Sequence, residues 1–451
     1  MSLLDPFSDA QTMASAVAND DIKAVDLIEL TLSRIGNYNT DLNAFVEVFS
    51  QSAIQSALRL DVLQQEGVPP EPLQGVPIAL KDLVGIAGRG CSNGMSVRGE
   101  IATKDSEIVI RLKLAGMILV GATHMVECAF GGAGTNSATL SPQNPWDRTA
   151  HRIAGGSSSG SAVAVAAGLV PVAIGSDTGG SVRIPASLCG VVGFKPSFGT
   201  ISNEGIVPLS PTLDTIGILT RSVSDASATF KILSGLDENI ANRLKARELR
   251  IGIPTSEELE KIAPDISARI YQSMEIIESS GATLVPFNFD DAFEDMVDGV
   301  GVIIAAEAFH SNRNVIENVR DPAVRKRLEA GRLITADTYL SALQTMRTAR
   351  VKATRAMDGL DAYITPTTPI TALQVENVDH GDMVLSRFTR AVNYLGFCAI
   401  SIPVGLSSHG LPIGLQLIAR SGADTELLSI AEWCEAILPQ PDCELLRRNF
   451  P

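Results

Sequence analysis

Residues 154–187 read AGGSSSGSAVAVAAGLVPVAIGSDTGGSVRIPAS, with seven serines and seven glycines but only two charged residues, Asp177 and Arg183. A flexible linker would account for the Ser and Gly, but not for the Ala, Val, Leu and Ile threaded between them. Two polar clusters, 155–161 and 176–181, flank an apolar spacer. The spacer predicts a small-residue helix over 162–168 and then a strand over 170–175. Helix followed by strand turns the chain back, so the clusters can meet at one end of a sheet. Hydroxyls buried there need partners, because an unpaired one costs about 1–3 kcal/mol. Thr178, Gly179, Gly180 and Ser181 also offer successive backbone N–H groups with little side-chain bulk, which is how a nest for an oxyanion is made.

Outward from this stretch, helical and strand patterns alternate. Residues 26–35 and 52–65 read as amphipathic helices, and GVPIAL (75–80) as a strand that stops at Lys81-Asp82. Residues 106–115 predict a helix capped by Ser106, followed by a strand over 117–120. Further strands are expected at 250–254, 283–287, 362–365, 399–404 and 411–418. This alternation predicts an α/β fold, a large and mostly parallel mixed sheet covered by helices on both sides. One domain is expected over 1–451, with a more helical and more charged layer at about 234–358.

Composition narrows the function. The chain has 451 residues, 45% of them hydrophobic, which is enough for a large buried core. A net charge of -15 disfavours a surface for nucleic-acid phosphates. Positive charge gathers only at 245–250 and 347–355, both helix-like and read as solvated faces. Six cysteines without a CxxC pair read as free thiols in a reducing compartment, and five histidines without an HExxH pair give no metal site. The N-terminus lacks a secretory pattern. The longest apolar run, 162–175, is shorter than the ~18 residues a bilayer span needs, and Pro171 interrupts it. A cytoplasmic protein with no membrane or nucleic-acid partner is expected.

Two familiar glycine motifs fail in detail. GGSSSGS has no following lysine for a phosphate loop, and 132–137 lacks the third glycine of a dinucleotide fingerprint. Residues 156–160 fit GxSxG around Ser158, but DRTAHRIA (147–154) is a poor strand to precede a nucleophile elbow. None of His310, His380 or His409 sits in a telling context for its triad.

A third reading covers far more of the chain. GGSSSGSAVAVAAGLVPVAIGSDTGGSVRIPASLCGVVGFKP (155–196) resembles the signature of the amidase signature family over nearly its full length. LQGVPIALKDLVGIAG (73–88), GIVPLSPTLDTIGILTRSV (205–223), DAYITPTTP (361–369) and SIPVGLSSHGLPIGLQLI (401–418) are similar to other family segments in the same order. The resemblance implies a Ser-Ser-Lys triad without histidine, metal or cofactor. Its lysine falls on Lys81, its bridging cis-serine on Ser157 and its nucleophile on Ser181. The family holds its two serines 24 residues apart, and 181 − 157 = 24 selects Ser157 over Ser158.

Elementary chemistry agrees with that assignment. A serine hydroxyl is a weak nucleophile without a base, and a lysine serves as one if burial lowers its pKa toward neutrality. Lys81 ends an apolar run, as such burial requires. Taken singly, Lys81 would read as a snorkelling strand-end lysine and Ser157 as a helix cap. Their joint spacing with Ser181 is what those readings leave unexplained.

The expected oxyanion hole is the backbone of Thr178, Gly179, Gly180 and Ser181. Asp177 and Arg183 read as a structural pair bracing it, with Ser158, Ser159 and Ser161 as supporting hydrogen-bonders. The glycine-rich ECAFGGAGTN (127–136) lies where the family places a substrate-lining loop, which nominates Phe130 and Gly131 for the pocket wall. Cys128 reads as packing, and the 366–369 loop as another side of the pocket. No cluster of Arg or Lys near these segments marks a carboxylate-bearing substrate.

The implied function is hydrolysis of a linear or aryl amide, carbamates and esters included, through an acyl-enzyme on Ser181. A small-molecule amide is the expected partner, and the resemblance adds a homodimer. One alternative is the glutaminase-type subunit of a tRNA-dependent amidotransferase, although 208–214 looks more like the stand-alone amidases. Another is a non-catalytic scaffold that keeps the fold, against which the joint presence of Lys81, Ser157 and Ser181 argues.

Overall fold

The apolar runs become strands β1 (Phe45–Val48), β2 (Pro77–Lys81), β3 (Ile118–Thr123), β4 (Val172–Asp177), β5 (Val192–Lys195), β6 (Thr215–Thr220), β7 (Arg250–Ile253), β8 (Thr283–Pro286), β9 (Ala362–Pro366), β10 (Cys398–Leu406) and β11 (Pro412–Ala419). They form a single sheet in the order β1-β3-β2-β4-β6-β5-β10-β11-β9-β7-β8. The computed structural model describes residues 5–236, 249–260, 262–287, 296–380 and 384–451. Every residue of β2, β4, β6, β9 and β11 is buried. Successive strand residues point to opposite faces, so both faces of the sheet are covered. The edge strands β1 and β8 are partly open.

The α/β architecture is as the sequence implies, but the strand directions are not mostly parallel. Of the ten pairings, four are parallel and six antiparallel. Strands β5 and β6, which the sequence reading did not single out, enter antiparallel between β4 and β10. A short apolar run marks a strand but carries no direction.

Parallel pairing is kept where it matters. Strand β4 lies beside β2 with Leu80 opposite Ile174, and β2 lies beside β3 with Lys81 opposite Thr123. Lys81 and Ser176 therefore sit at the carboxyl ends of adjacent parallel strands, where α/β sheets gather their ligands.

The helix before β4 spans Ser159–Ala166, starting earlier than the predicted 162–168, and all eight of its residues are buried. Serine and glycine are poor helix formers, so packing decides this start. A Cβ on Gly160 would lie 2.3 Å from the Ala44 carbonyl oxygen and 2.5 Å from the His124 nitrogen. Only glycine lets the helix approach the backbone so closely.

Helices Met296–Asn312 and Ala336–Ala356 enclose a second apolar cluster that includes Leu213, Tyr363, Tyr394 and Phe397. Arg347, Lys352 and Arg355 point to solvent, but Arg350 is half-buried and donates to the Tyr394 carbonyl at 2.8 Å, so the stretch is a solvated face only in part. The basic residues Lys245 and Arg247 lie outside the described residues. Among the described residues no helix is long and apolar enough to cross a membrane.

Candidate active site

The two polar clusters of 154–187 do meet. Ser158 N donates to the Ser181 carbonyl at 3.2 Å, and Ser158 Oγ donates to the Ser176 carbonyl at 3.2 Å while accepting from Ser176 N at 3.3 Å. Ser161 Oγ bonds Thr123 Oγ1 at 2.7 Å and the Ile174 carbonyl at 3.0 Å. The Ser158 and Ser161 hydroxyls are thus hydrogen-bonded within the protein, whereas that of Ser159 is buried with no hydrogen-bond partner among the described residues.

Lys81 is fully buried at the end of β2. Its Nζ donates to Ser157 Oγ at 2.7 Å and to Ser176 Oγ at 2.8 Å. Burial pulls its pKa down to about 7, although Asp177 and Asp214 favour the charged form. The snorkelling alternative is excluded, since no part of the side chain reaches water. Ser157 is equally buried and follows a cis peptide bond after Gly156. The residue at the helix cap is Ser158, not Ser157, so a capping role does not explain Ser157.

Ser181 is half-buried and lines a cavity of about 320 Å³. Among the described residues its side chain bonds to neither Lys81 nor Ser157; the backbone bond to Ser158 ties it to the pair.

The brace around this loop is larger than the sequence showed. Asp177 and Arg183 are both fully buried and joined by bonds of 3.1 and 2.9 Å. Gln416 and Asn393 each accept a 2.7 Å bond from the same guanidinium, and Asn393 Nδ2 donates back to Asp177 Oδ1 at 2.9 Å. Burial opposes the charge on Asp177, but the Arg183 charge and hydrogen bonds outweigh it and hold the carboxyl well below the usual range.

One consequence corrects the expected oxyanion hole. Gly180 N donates to Asp177 Oδ1 at 2.7 Å, so this N–H is already taken by an ionised carboxylate. The N–H groups of Thr178, Gly179 and Ser181 have no acceptor among the described residues. Thr178 is fixed from its other side by Asp214, whose Oδ1 accepts from Thr178 Oγ1 at 2.5 Å. Burial pushes the Asp214 carboxyl up to about 6.

Phe130 and Gly131 both line the cavity, within a wall formed by 129–135. The loop 366–369 does not; Ile370 and Leu373, just beyond it, do. Thr367 and Thr368 instead bond Ser401 and Ser187 at 2.7 and 3.2 Å inside the protein. Cys128 is buried and its thiol is pushed up to about 12, consistent with packing. Ser176 and Asp214 join the site although the sequence reading assigns them no role. Register would have found Ser176, because it ends the strand beside Lys81.

This constellation can be compared with known proteins. A family model described as Amidase matches residues 26–428. The chain belongs to the amidase family. It is 33% identical over 452 residues to 2-amino-5-chloromuconic acid deaminase of Comamonas testosteroni, a match covering 97% of this chain and 98% of that protein. It is 34% identical over 467 residues to a glutamyl-tRNA(Gln) amidotransferase subunit of Symbiobacterium thermophilum, covering 91% and 93%. A crystal structure of an amidase superposes with a TM-score of 0.88 at 30% identity, covering 96% of this chain and 100% of that one. The amidase fold thus runs through nearly the whole length of the chain, and Lys81, Ser157 and Ser181 lie inside the matched region.

Proposed function

We propose that this amidase-family chain is a serine hydrolase of carbon–nitrogen bonds whose catalytic relay is Lys81, Ser157 and Ser181. The observation that carries the reading is the fully buried Lys81, bonded to two hydroxyls and with a pKa drawn to about 7. A lysine held this way is a base at neutral pH rather than a charge partner.

Neutral Lys81 accepts the Ser157 proton as Ser157 accepts the Ser181 proton, and Ser181 Oγ attacks the amide carbonyl. The link between Ser157 and Ser181 tightens as substrate docks, since catalytic hydrogen bonds are commonly long before it does. The oxyanion is held by the N–H groups of Thr178, Gly179 and Ser181. Collapse of the tetrahedral intermediate breaks the C–N bond, and the relay returns its proton to the departing amine through Ser157. Water then adds to the acyl carbonyl, with the relay again taking the proton, and frees Ser181.

The experiment is a panel of primary amides, anilides, esters and carbamates, with glutamine included, followed by mass spectrometry for the wild type and Ser181→Ala. Turnover lost in the variant supports the relay, and turnover that survives it refutes the assignment. The similarity to an amidotransferase component supports a second reading, in which the same site releases ammonia for partner subunits. Cleavage of glutamine alone, with copurifying subunits, would select it.

A further inference from the structure

Two arginines far apart in the chain, Arg327 and Arg390, line the same cavity as Ser181. The lining also carries two carboxylates, Asp321 and Asp379, so its charges balance although the chain as a whole is at -15. Arg390 is placed closest to the chemistry. Its Cγ lies 3.6 Å from where a Cβ on Gly179 would stand, so its stem crosses the loop that carries the oxyanion donors.

A guanidinium has five N–H donors. That of Arg390 makes a single hydrogen bond among the described residues, 2.7 Å from Nη2 to Ser386 Oγ. Burial pulls down its pKa. Arg327 is occupied differently. It donates to the Phe130 carbonyl and, at 3.1 Å, to the His380 carbonyl, which anchors the 129–135 wall. The acid that favours its charge, Asp321, is itself engaged by the N–H groups of Ala323 and Val324 at 2.9 and 3.1 Å.

Arg390 is thus a partly desolvated cation with most of its donor fork unused, facing the space where substrate must lie. Carboxylates match that fork in a bidentate way and repay its lost hydration. Resting on the hydrolase reading above, we propose that Arg390 is a specificity-determining residue that grips a carboxylate of the substrate, so that amides carrying an acid group are preferred.

The test uses two pairs of amides. Glutaryl-4-nitroanilide against butyryl-4-nitroanilide places the acid on the acyl side, and 4-acetamidobenzoate against acetanilide places it on the leaving group. In at least one pair the acid member should lead in kcat/KM by about ten- to a hundredfold, mainly through KM. Arg390→Gln should bring that ratio toward one, and Arg390→Lys should restore part of it, with thermal unfolding checked for both variants.

Equal use of acid and neutral members in both pairs would overturn the proposal. So would a variant that lowers both members of a pair alike, because that is a structural effect. If the wild type cleaves none of the four, the hydrolase reading is what fails in this assay. Calorimetry of glutarate and 4-aminobenzoate on Ser181→Ala then decides the carboxylate site separately. Binding lost on adding Arg390→Gln supports it, and absence of binding overturns it.

Discussion

Lys81 Nζ stands 2.7 Å from Ser157 Oγ, and both side chains are closed to water. With burial drawing the lysine to about pH 7, the base is neutral above that value and protonated below it. kcat/KM should therefore rise with pH along a limb near 7 and level off above it. Lys81→Met should lower kcat by about 10²–10⁴-fold and abolish that limb in any residual activity. A pH series for both proteins checks this.

The same shift links stability to pH. A native pKa below the unfolded value means that the unfolded chain binds the extra proton between about 7 and the ordinary lysine value of 10.5. Wild-type stability relative to Lys81→Met should therefore improve as pH rises through that window, by up to about 1.4 kcal/mol per pH unit. Below about 7 the difference should be flat. Urea unfolding of both proteins at several pH values gives the slope.

Ser176 holds the lysine from the side opposite Ser157, at 2.8 Å. Ser176→Ala removes an acceptor for the protonated amine, so the acid limb should move to lower pH. The loss in kcat should be about tenfold, as for one hydrogen bond to a charged group. A fall in rate with no movement of the limb would mean that Ser176 only packs.

Among the described residues Arg183 is the sole cation bonded to Asp177, and both are fully buried. Arg183→Met leaves a carboxylate inside the protein with only N–H partners, at a cost of about 3–5 kcal/mol by chemical denaturation at pH 7. The Asp177 pKa should climb in that variant. Its stabilising effect, present above the usual carboxylate range, is then lost at a higher pH on acidification than in the wild type.

Much of this was legible in the residues, and the limits have physical reasons. The predicted strands at 75–80, 170–175, 362–365, 399–404 and 411–418 match β2, β4, β9, β10 and β11 closely, because a buried strand is a bounded apolar run. FVEV (β1) and VGFK (β5) are too short and mixed to stand out. Lys81, Ser157 and Ser181 emerge from spacing across a long resemblance, and the structure brings the first two into contact.

The Gly180 N–H escapes a sequence reading because sequence counts donors but not which acceptor reaches them first. No cluster of Arg or Lys stands near 127–136 or 366–369 in the sequence, and the arginines of the pocket come from elsewhere in the chain. Arg327 and Arg390 lie far from the signature, and nothing local shows which arginines of a chain turn inward.

The central claim is that Ser181 carries the acyl group. Wild type mixed with an activated ester, quenched in acid within one turnover and digested should yield a peptide containing Ser181 heavier by the acyl mass, absent from Ser181→Ala. Acyl mass on another residue, or steady turnover with none at Ser181, would contradict the account.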